Sequence, residues 1–224
     1  MAVVLHRRGD RLMRITKFGH SCVRLSYDGR DVVLDPGVWS QRESLDGVAA
    51  VLITHEHPDH WTIDHLRATD APIHTIRAVA DKIAEADPAV HERVRVVQPG
   101  EHLEVAGFAV DVVGEKHAVI HPDLPHFDNS GYLLEAGGTT LFHPGDSFEL
   151  PGQPVDVYCA PVSAPWAKMS ELLDVAREVA APRTLGIHDG VYSDVGLAMM
   201  DERFTAFLEQ VGGTYARPAD GQDL

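Results

Sequence analysis

Val48-Ala49-Ala50-Val51-Leu52-Ile53, then Thr54, then His55-Glu56-His57-Pro58-Asp59-His60, carries an apolar run straight into three imidazoles and two carboxylates within six residues. The run reads as a strand covered on both faces, since it is short, rich in branched side chains and has no polar side. Delivered to the end of such a strand, His-x-His-x-Asp-His has the composition a two-metal hydrolytic centre needs: close, rigidly held nitrogen and oxygen donors. In extended backbone, residues two apart point the same way, so His55 and His57 converge on one position. Pro58 holds His57 extended and fixes its own φ; the chain then bends and turns Asp59 and His60 towards a neighbouring position.

Working outward, Ile15 to Phe18, Cys22 to Tyr27 and Asp31 to Leu34 are strand-like, with Asp28-Gly29 as a hairpin turn, so an antiparallel meander precedes the motif. After it, Trp61 to Leu66 reads as a short helix, Pro72 to Ile76 as a strand, and Ala78 to Ala86 as a helix stopped by Asp87-Pro88. Val94 to Val97, His102 to Val105, Phe108 to Val113, Tyr132 to Glu135, Thr139 to Phe142, Val155 to Cys159 and Arg183 to Ile187 are further strands. Ser170 is placed to cap a helix carrying Leu172, Leu173, Ala176, Val179 and Ala180 on one face and ending at Pro182. Leu197, Met200, Phe204, Phe207, Leu208 and Val211 mark a last helix closed by Gly212-Gly213. The order, strands followed by strands mixed with helices, occurs twice, and suits two sheets face to face with helices outside.

Six residues cannot complete two coordination shells, so later strand ends must contribute. His117 follows the strand to Val113, Asp146 lies in Phe142-His143-Pro144-Gly145-Asp146-Ser147, and His188 follows Ile187. One position would take His55, His57 and His117; the other Asp59, His60 and His188; Asp146, a carboxylate able to bridge two cations, would be shared. His121 competes with His117 on sequence grounds. His20 suits structural support and site lining equally, and His143 suits a position behind the ligands. His65, His74, His91 and His102 read as partly exposed, and Trp39, Trp61 and Trp166 as packing residues.

The 224 residues include 44% hydrophobic and 24% charged side chains, an ordinary globular balance for a chain long enough to bury about 70% of its unfolded surface. A formal charge of -15 argues against nucleic acid as partner, since phosphate backbones are held by clustered Lys and Arg. No stretch reads as a membrane span. Cys22 and Cys159 stand alone, so neither a disulfide scaffold nor a zinc-thiolate module is indicated. In residues 1–12, Arg7, Arg8 and Arg11 follow the apolar Ala2-Val3-Val4-Leu5 run, the wrong order for a secretory signal. That stretch is expected to be a disordered or mis-started extension, residues 13–224 a single domain, and the location cytoplasmic. A small-molecule substrate is the expected partner; an oligomer is compatible with the sequence.

Gly19-His20-Ser21-Cys22, Leu34-Asp35-Pro36, the His-x-His-x-Asp-His motif, Pro144-Gly145-Asp146 and Ile187-His188 together resemble the metallo-β-lactamase superfamily from Met13 to about Pro218. Within it, they look most like small bacterial hydrolases related to the ascorbate-6-phosphate lactonases. The resemblance implies an α/β fold, a four-layer αβ/βα sandwich of two mostly antiparallel or mixed sheets, with metals at the rim and Asp35 supporting the metal loop by hydrogen bonds. It implies a hydrolase using a metal-bridging hydroxide, with Asp59 and Asp146 as catalytic residues and two divalent ions, Zn2+ first and Mn2+ or Fe2+ as alternatives. Ester, lactone and phosphodiester substrates all suit that centre. A mononuclear iron oxygenase on the same scaffold and a non-catalytic metal-binding protein are the competing classes.

Overall fold

The computed structural model describes residues 12–224, so the expectation for residues 1–12 falls, apart from Leu12, outside the described residues. Arg14–Lys17 (β1), Val23–Tyr27 (β2) and Arg30–Leu34 (β3) form the expected meander, turning at Asp28-Gly29. Ala50–Ile53 (β4), Ile73–Thr75 (β5) and Val94–Val96 (β6) then add in parallel. His102–Val105 (β7), Phe108–Val113 (β8), Gly131–Ala136 (β9) and Thr139–His143 (β10) build a second sheet by antiparallel pairing. Val157–Pro161 (β11), Arg183–Ile187 (β12) and Thr214–Ala216 (β13) extend it in parallel. The last strand, Gln222–Asp223 (β14), crosses back to pair antiparallel with β1, giving two mixed sheets of seven strands each among the described residues.

Period-two alternation explains the layering. On β4, Leu52 joins Leu25, Leu34, Phe108, Leu134, Val157 and Leu185 in the core between the sheets. Its neighbours Val51 and Ile53 point the other way, against Leu66 of Ile63–Leu66 (α1) and Val79 and Ile83 of Arg77–Ala86 (α2). On β11, Val157 and Cys159 face the inter-sheet core, while Tyr158 and Ala160 meet Met169–Val179 (α4) and Asp194–Glu209 (α5). Both central strands are buried on two faces, which is why they lack polar residues. The result is helices, sheet, sheet, helices, the αβ/βα sandwich. Among the described residues no helix is long and apolar enough to cross a membrane.

Some boundaries differ from expectation. Lys168, not Ser170, is the N-cap of α4, because the Glu171 side chain reaches back to the Lys168 amide at 2.8 Å and starts the helix earlier. The helix stops at Ala180, whose φ of 51° is left-handed, before Pro182 is reached. The strand expected over Val155 to Cys159 runs two residues later, as β11. The helix expected from Leu197 already begins at Asp194, where the Ser193 hydroxyl accepts from the Gly196 amide. Pro88–His91 (α3), β13 and β14 were not anticipated, being too short, at four, three and two residues, to show a period. His74 is buried, contrary to expectation, because β5 is an interior strand of its sheet.

The strand ends that matter share one rim. β3 delivers Asp35, β4 delivers Thr54 to His60, β10 delivers Asp146 and β12 delivers His188. The sheets are tied there by the Ser130 amide donating to the Thr54 carbonyl at 3.0 Å and the His188 amide donating to the His20 carbonyl at 3.0 Å. Gly37 lets the loop after β3 lie directly on the metal-motif loop: a Cβ there would fall 1.8 Å from the Asp59 carbonyl oxygen. Gly37→Ala is therefore expected to destabilise the chain by about 3 kcal/mol, read as a lower denaturation midpoint without added metal. An unchanged midpoint would show that the two loops do not touch.

Candidate metal centre

Seven side chains singled out from sequence meet at this rim. His55, His57, His117 and Asp146 form one group whose donor atoms lie within 4.8 Å of one another; His20, Asp59, His60 and His188 form a second. Asp146 stands between them. Its Oδ2 is 3.1 Å from His188 Nε2, 3.4 Å from His117 Nε2 and 3.9 Å from His55 Nε2, and its Oδ1 is 3.2 Å from His60 Nε2. His117 rather than His121 reaches the cluster; His121 stays exposed in its loop, accepting from the Asp123 amide.

The imidazoles are aimed from behind. His60 Nδ1 donates to Asp35 Oδ2 at 2.7 Å, which turns its Nε2 towards Asp146. The Thr54 hydroxyl donates to the same Asp35 oxygen at 2.7 Å and is thereby free to accept from His55 Nδ1 at 3.0 Å, so His55 turns an unprotonated Nε2 inward, 3.0 Å from His57 Nδ1. His117 Nδ1 donates to the Ala118 carbonyl at 2.6 Å with the same consequence. Asp35 completes its own set by accepting from the Thr54 amide at 2.8 Å. It lies in neither donor group, so it positions two imidazoles without joining them.

Burial without partners singles out the inward atoms. His60 Nε2, His117 Nε2 and Asp146 Oδ1 are inaccessible and lack a hydrogen-bond partner. Orphaned polar atoms at this density are costly unless something else satisfies them. The same crowding sets the charges. Burial lowers the proton affinity of His55 well below the ordinary imidazole value, with His60 adding to the effect. At His60 burial acts in the same direction, but the carboxylates of Asp146 and Asp35 outweigh it and raise the value well above normal. Burial would raise Asp146, yet His188 and His60 hold it well below the usual carboxylate range. Asp59 falls to about 2, since burial is outweighed by the His20 hydrogen bond and the charges around it.

Three further contributors surround the ligands: Trp166, read from sequence as a packing residue, His20, left between support and site lining, and His143, expected behind the ligands. The Trp166 indole donates to Asp146 Oδ2 at 2.9 Å, pinning the carboxylate between the two groups, where packing alone had been expected. His20 accepts from the Gly190 amide through Nδ1 at 3.0 Å, so its Nε2 carries the hydrogen that bonds Asp59 Oδ2 at 3.1 Å. That tautomer makes His20 a support for Asp59. His143 donates to the Ser21 carbonyl and accepts from the Gly145 amide, clamping the loop ahead of Asp146. Left-handed backbone at His20, Asp35 and His188, with φ of 48°, 47° and 54°, concentrates strain at this rim. The only sequence signal for these roles was position beside a strand end. Trp166→Phe keeps the ring but loses the donor, and is expected to weaken metal binding roughly ten-fold in a chelator competition; equal affinity would deny the indole this role.

Comparisons with known proteins bear on the family and the fold. Protein Rv0786c of Mycobacterium tuberculosis is 38% identical over 184 residues, spanning 80% of this chain and 85% of that protein. A UPF0173 metal-dependent hydrolase of Xanthobacter autotrophicus is 28% identical over 151 residues, 60% of this chain and 62% of its own length. The structure of Igni18, a metallo hydrolase from Ignicoccus hospitalis, superposes with a TM-score of 0.73 over 95% of this chain and 97% of its own, at 17% identity, a likeness of fold. The model for the beta-lactamase superfamily domain matches residues 14–188, every strand end that feeds the two donor groups, and the chain belongs to that family.

Proposed function

We propose that the chain is a dinuclear metal-dependent hydrolase of small ester, lactone or phosphodiester substrates. His55, His57 and His117 would hold one divalent ion, Asp59, His60 and His188 the other, with Asp146 between them. The observation that carries this reading is the set of buried, unpartnered donor atoms on His60, His117 and Asp146, in rings whose opposite nitrogens are already engaged. Zinc, with manganese or iron(II) as alternatives, would supply a hydroxide nucleophile from water near neutral pH and an electrophile for the developing oxyanion.

The chain's own groups do the positioning. Asp146 is fixed by the Trp166 indole and by its own amide, which donates to Asn129 Oδ1 at 3.0 Å. Asp59 is the more exposed carboxylate of the pair, at 18% against 3%, and therefore the one that incoming water and substrate meet. Held ionised by His20, it acts as an acceptor that orients water. The relatedness to proteins called metal-dependent hydrolases supports the reading, and a lactone belongs in the assay as one of the three substrate types that suit such a centre.

Metal-free protein should regain about two equivalents of zinc or manganese and, with them, hydrolysis of at least one of a lactone, a carboxylic ester and a phosphodiester. A single tightly held iron with oxygen consumption would replace this reading by the oxygenase. Full metal uptake with no turnover across the three substrate types would favour the non-catalytic class.

A further inference from the structure

The mouth of the centre is edged with apolar side chains that the fold does not cover. The Trp39 ring is 52% exposed and stands edge-on to His20, with ring centres 4.8 Å apart. Phe127 meets His57 edge-on at 4.6 Å. Phe148, 37% exposed, lies edge-on to Trp166 at 5.3 Å, and Trp166 holds Asp146. Each ring thus contacts a member of the donor groups or its immediate partner, from a different loop. Val119 and Ile120 are exposed just after His117, and a cleft of about 490 Å³ runs from His117 past Val119 to Phe148.

Charge is arranged the other way. The rim segments 18–22, 35–41, 54–62, 114–130, 144–149, 162–168 and 188–193 contain no arginine and two lysines. Lys116 is paired with Asp128 at 2.5 Å and Lys168 with Glu171 at 3.4 Å. The chain's other two lysines are also engaged, Lys82 with Glu56 and Lys17 with Asp189 and Asp220. Among the described residues, a phosphate or carboxylate on the substrate beyond the reacting group would find acidic loops whose two lysines are already paired with carboxylates.

Resting on the hydrolase reading above, we infer that the substrate is an uncharged carboxylic ester or lactone bearing an apolar, preferably aromatic, arm that lies in the cleft between Val119 and Phe148. Hydrolysis breaks the acyl carbon–oxygen bond; water gives its hydroxyl to the acyl carbon and its remaining proton balances the alcohol and acid released. The apolar rim supplies binding and selection, and the reaction itself stays with the centre.

Four methyl esters separate the terms: methyl phenylacetate, methyl hexanoate, methyl acetate and monomethyl succinate, assayed on metal-loaded protein. The phenylacetate is expected to exceed the acetate at least ten-fold in kcat/KM and the anionic succinate by more. Val119→Ser and Phe148→Ala should each cut the phenylacetate-to-acetate ratio roughly ten-fold, mainly through KM. Equal turnover of all four esters, or preference for the succinate, overturns the inference and leaves the hydrolase reading intact. If none of the four esters is cleaved while a phosphodiester is, the inference falls and the hydrolase reading stands; if no ester, lactone or phosphodiester is cleaved, the hydrolase reading fails alone, saturation-transfer NMR with phenylacetamide and succinamate still reads the rim, and only preferential binding of the neutral aryl amide, weakened in both variants, supports it. Dissociation of an oligomer in the two variants with no change in these preferences would show that the rim is a surface between copies, and overturn it.

Discussion

Asp146→Asn is expected to lower metal content from two equivalents to at most one and to reduce kcat/KM by roughly 10³-fold or more. The carboxylate is the one group within 3.4 Å of His60, His117 and His188 alike, so it is the natural point at which two cations would be joined. Asparagine keeps the size and can still accept from the Trp166 indole through one atom. It loses the negative charge, and its amide nitrogen cannot serve as a ligand. Elemental analysis of the purified variant and its rate on whichever substrate the wild type cleaves give the check. Unchanged metal content and rate would reject a bridging role.

Asp35→Asn should be nearly as damaging without touching the cluster. Asp35 Oδ2 receives two hydrogens, from His60 Nδ1 and the Thr54 hydroxyl, while Oδ1 receives the Thr54 amide. An asparagine has one acceptor oxygen, so its NH2 group must confront at least one of these donors in a site with no accessible surface. The Thr54 hydroxyl would then turn, and His55 and His60 would lose the partners that point their Nε2 atoms inward. A 10- to 100-fold loss of metal affinity is expected, together with about 3 kcal/mol of stability. Chelator competition and denaturation of the metal-free protein measure the two separately. A loss of stability with unaltered metal affinity would confine Asp35 to the fold.

The left-handed φ at Asp35 matters to both effects, since asparagine tolerates that conformation almost as well as aspartate. Backbone strain is therefore held constant between the two side chains. What changes is the direction of hydrogen bonding.

Much of this was legible because the signal was local. The apolar run into Thr54 fixes a doubly buried strand, and a strand of that kind needs layers on both sides, which the alternation of Leu52 with Val51 and Ile53 provides. His117, Asp146 and His188 were recognisable as a polar donor placed just past a strand end. Trp166 was not, because nothing in its own neighbourhood betrays a hydrogen bond to a residue twenty positions away. His20 remained open for the same reason: its role depends on the Gly190 amide, which the fold brings from 170 positions along the chain. The strands β13 and β14 escaped notice since their pairing partners, not their composition, make them strands. Lys17, fully buried, is likewise explained only by Asp189 and Asp220, which arrive with the C-terminal segment and anchor the residue next to His188.

The most direct measurement is an anomalous-difference map from crystals grown with zinc or manganese and recorded on both sides of the metal's absorption edge. Two peaks are predicted, one enclosed by His55, His57 and His117, the other by Asp59, His60 and His188, with Asp146 reaching both. A single peak away from Asp146, or none at saturating metal, would contradict a paired-cation centre at this rim.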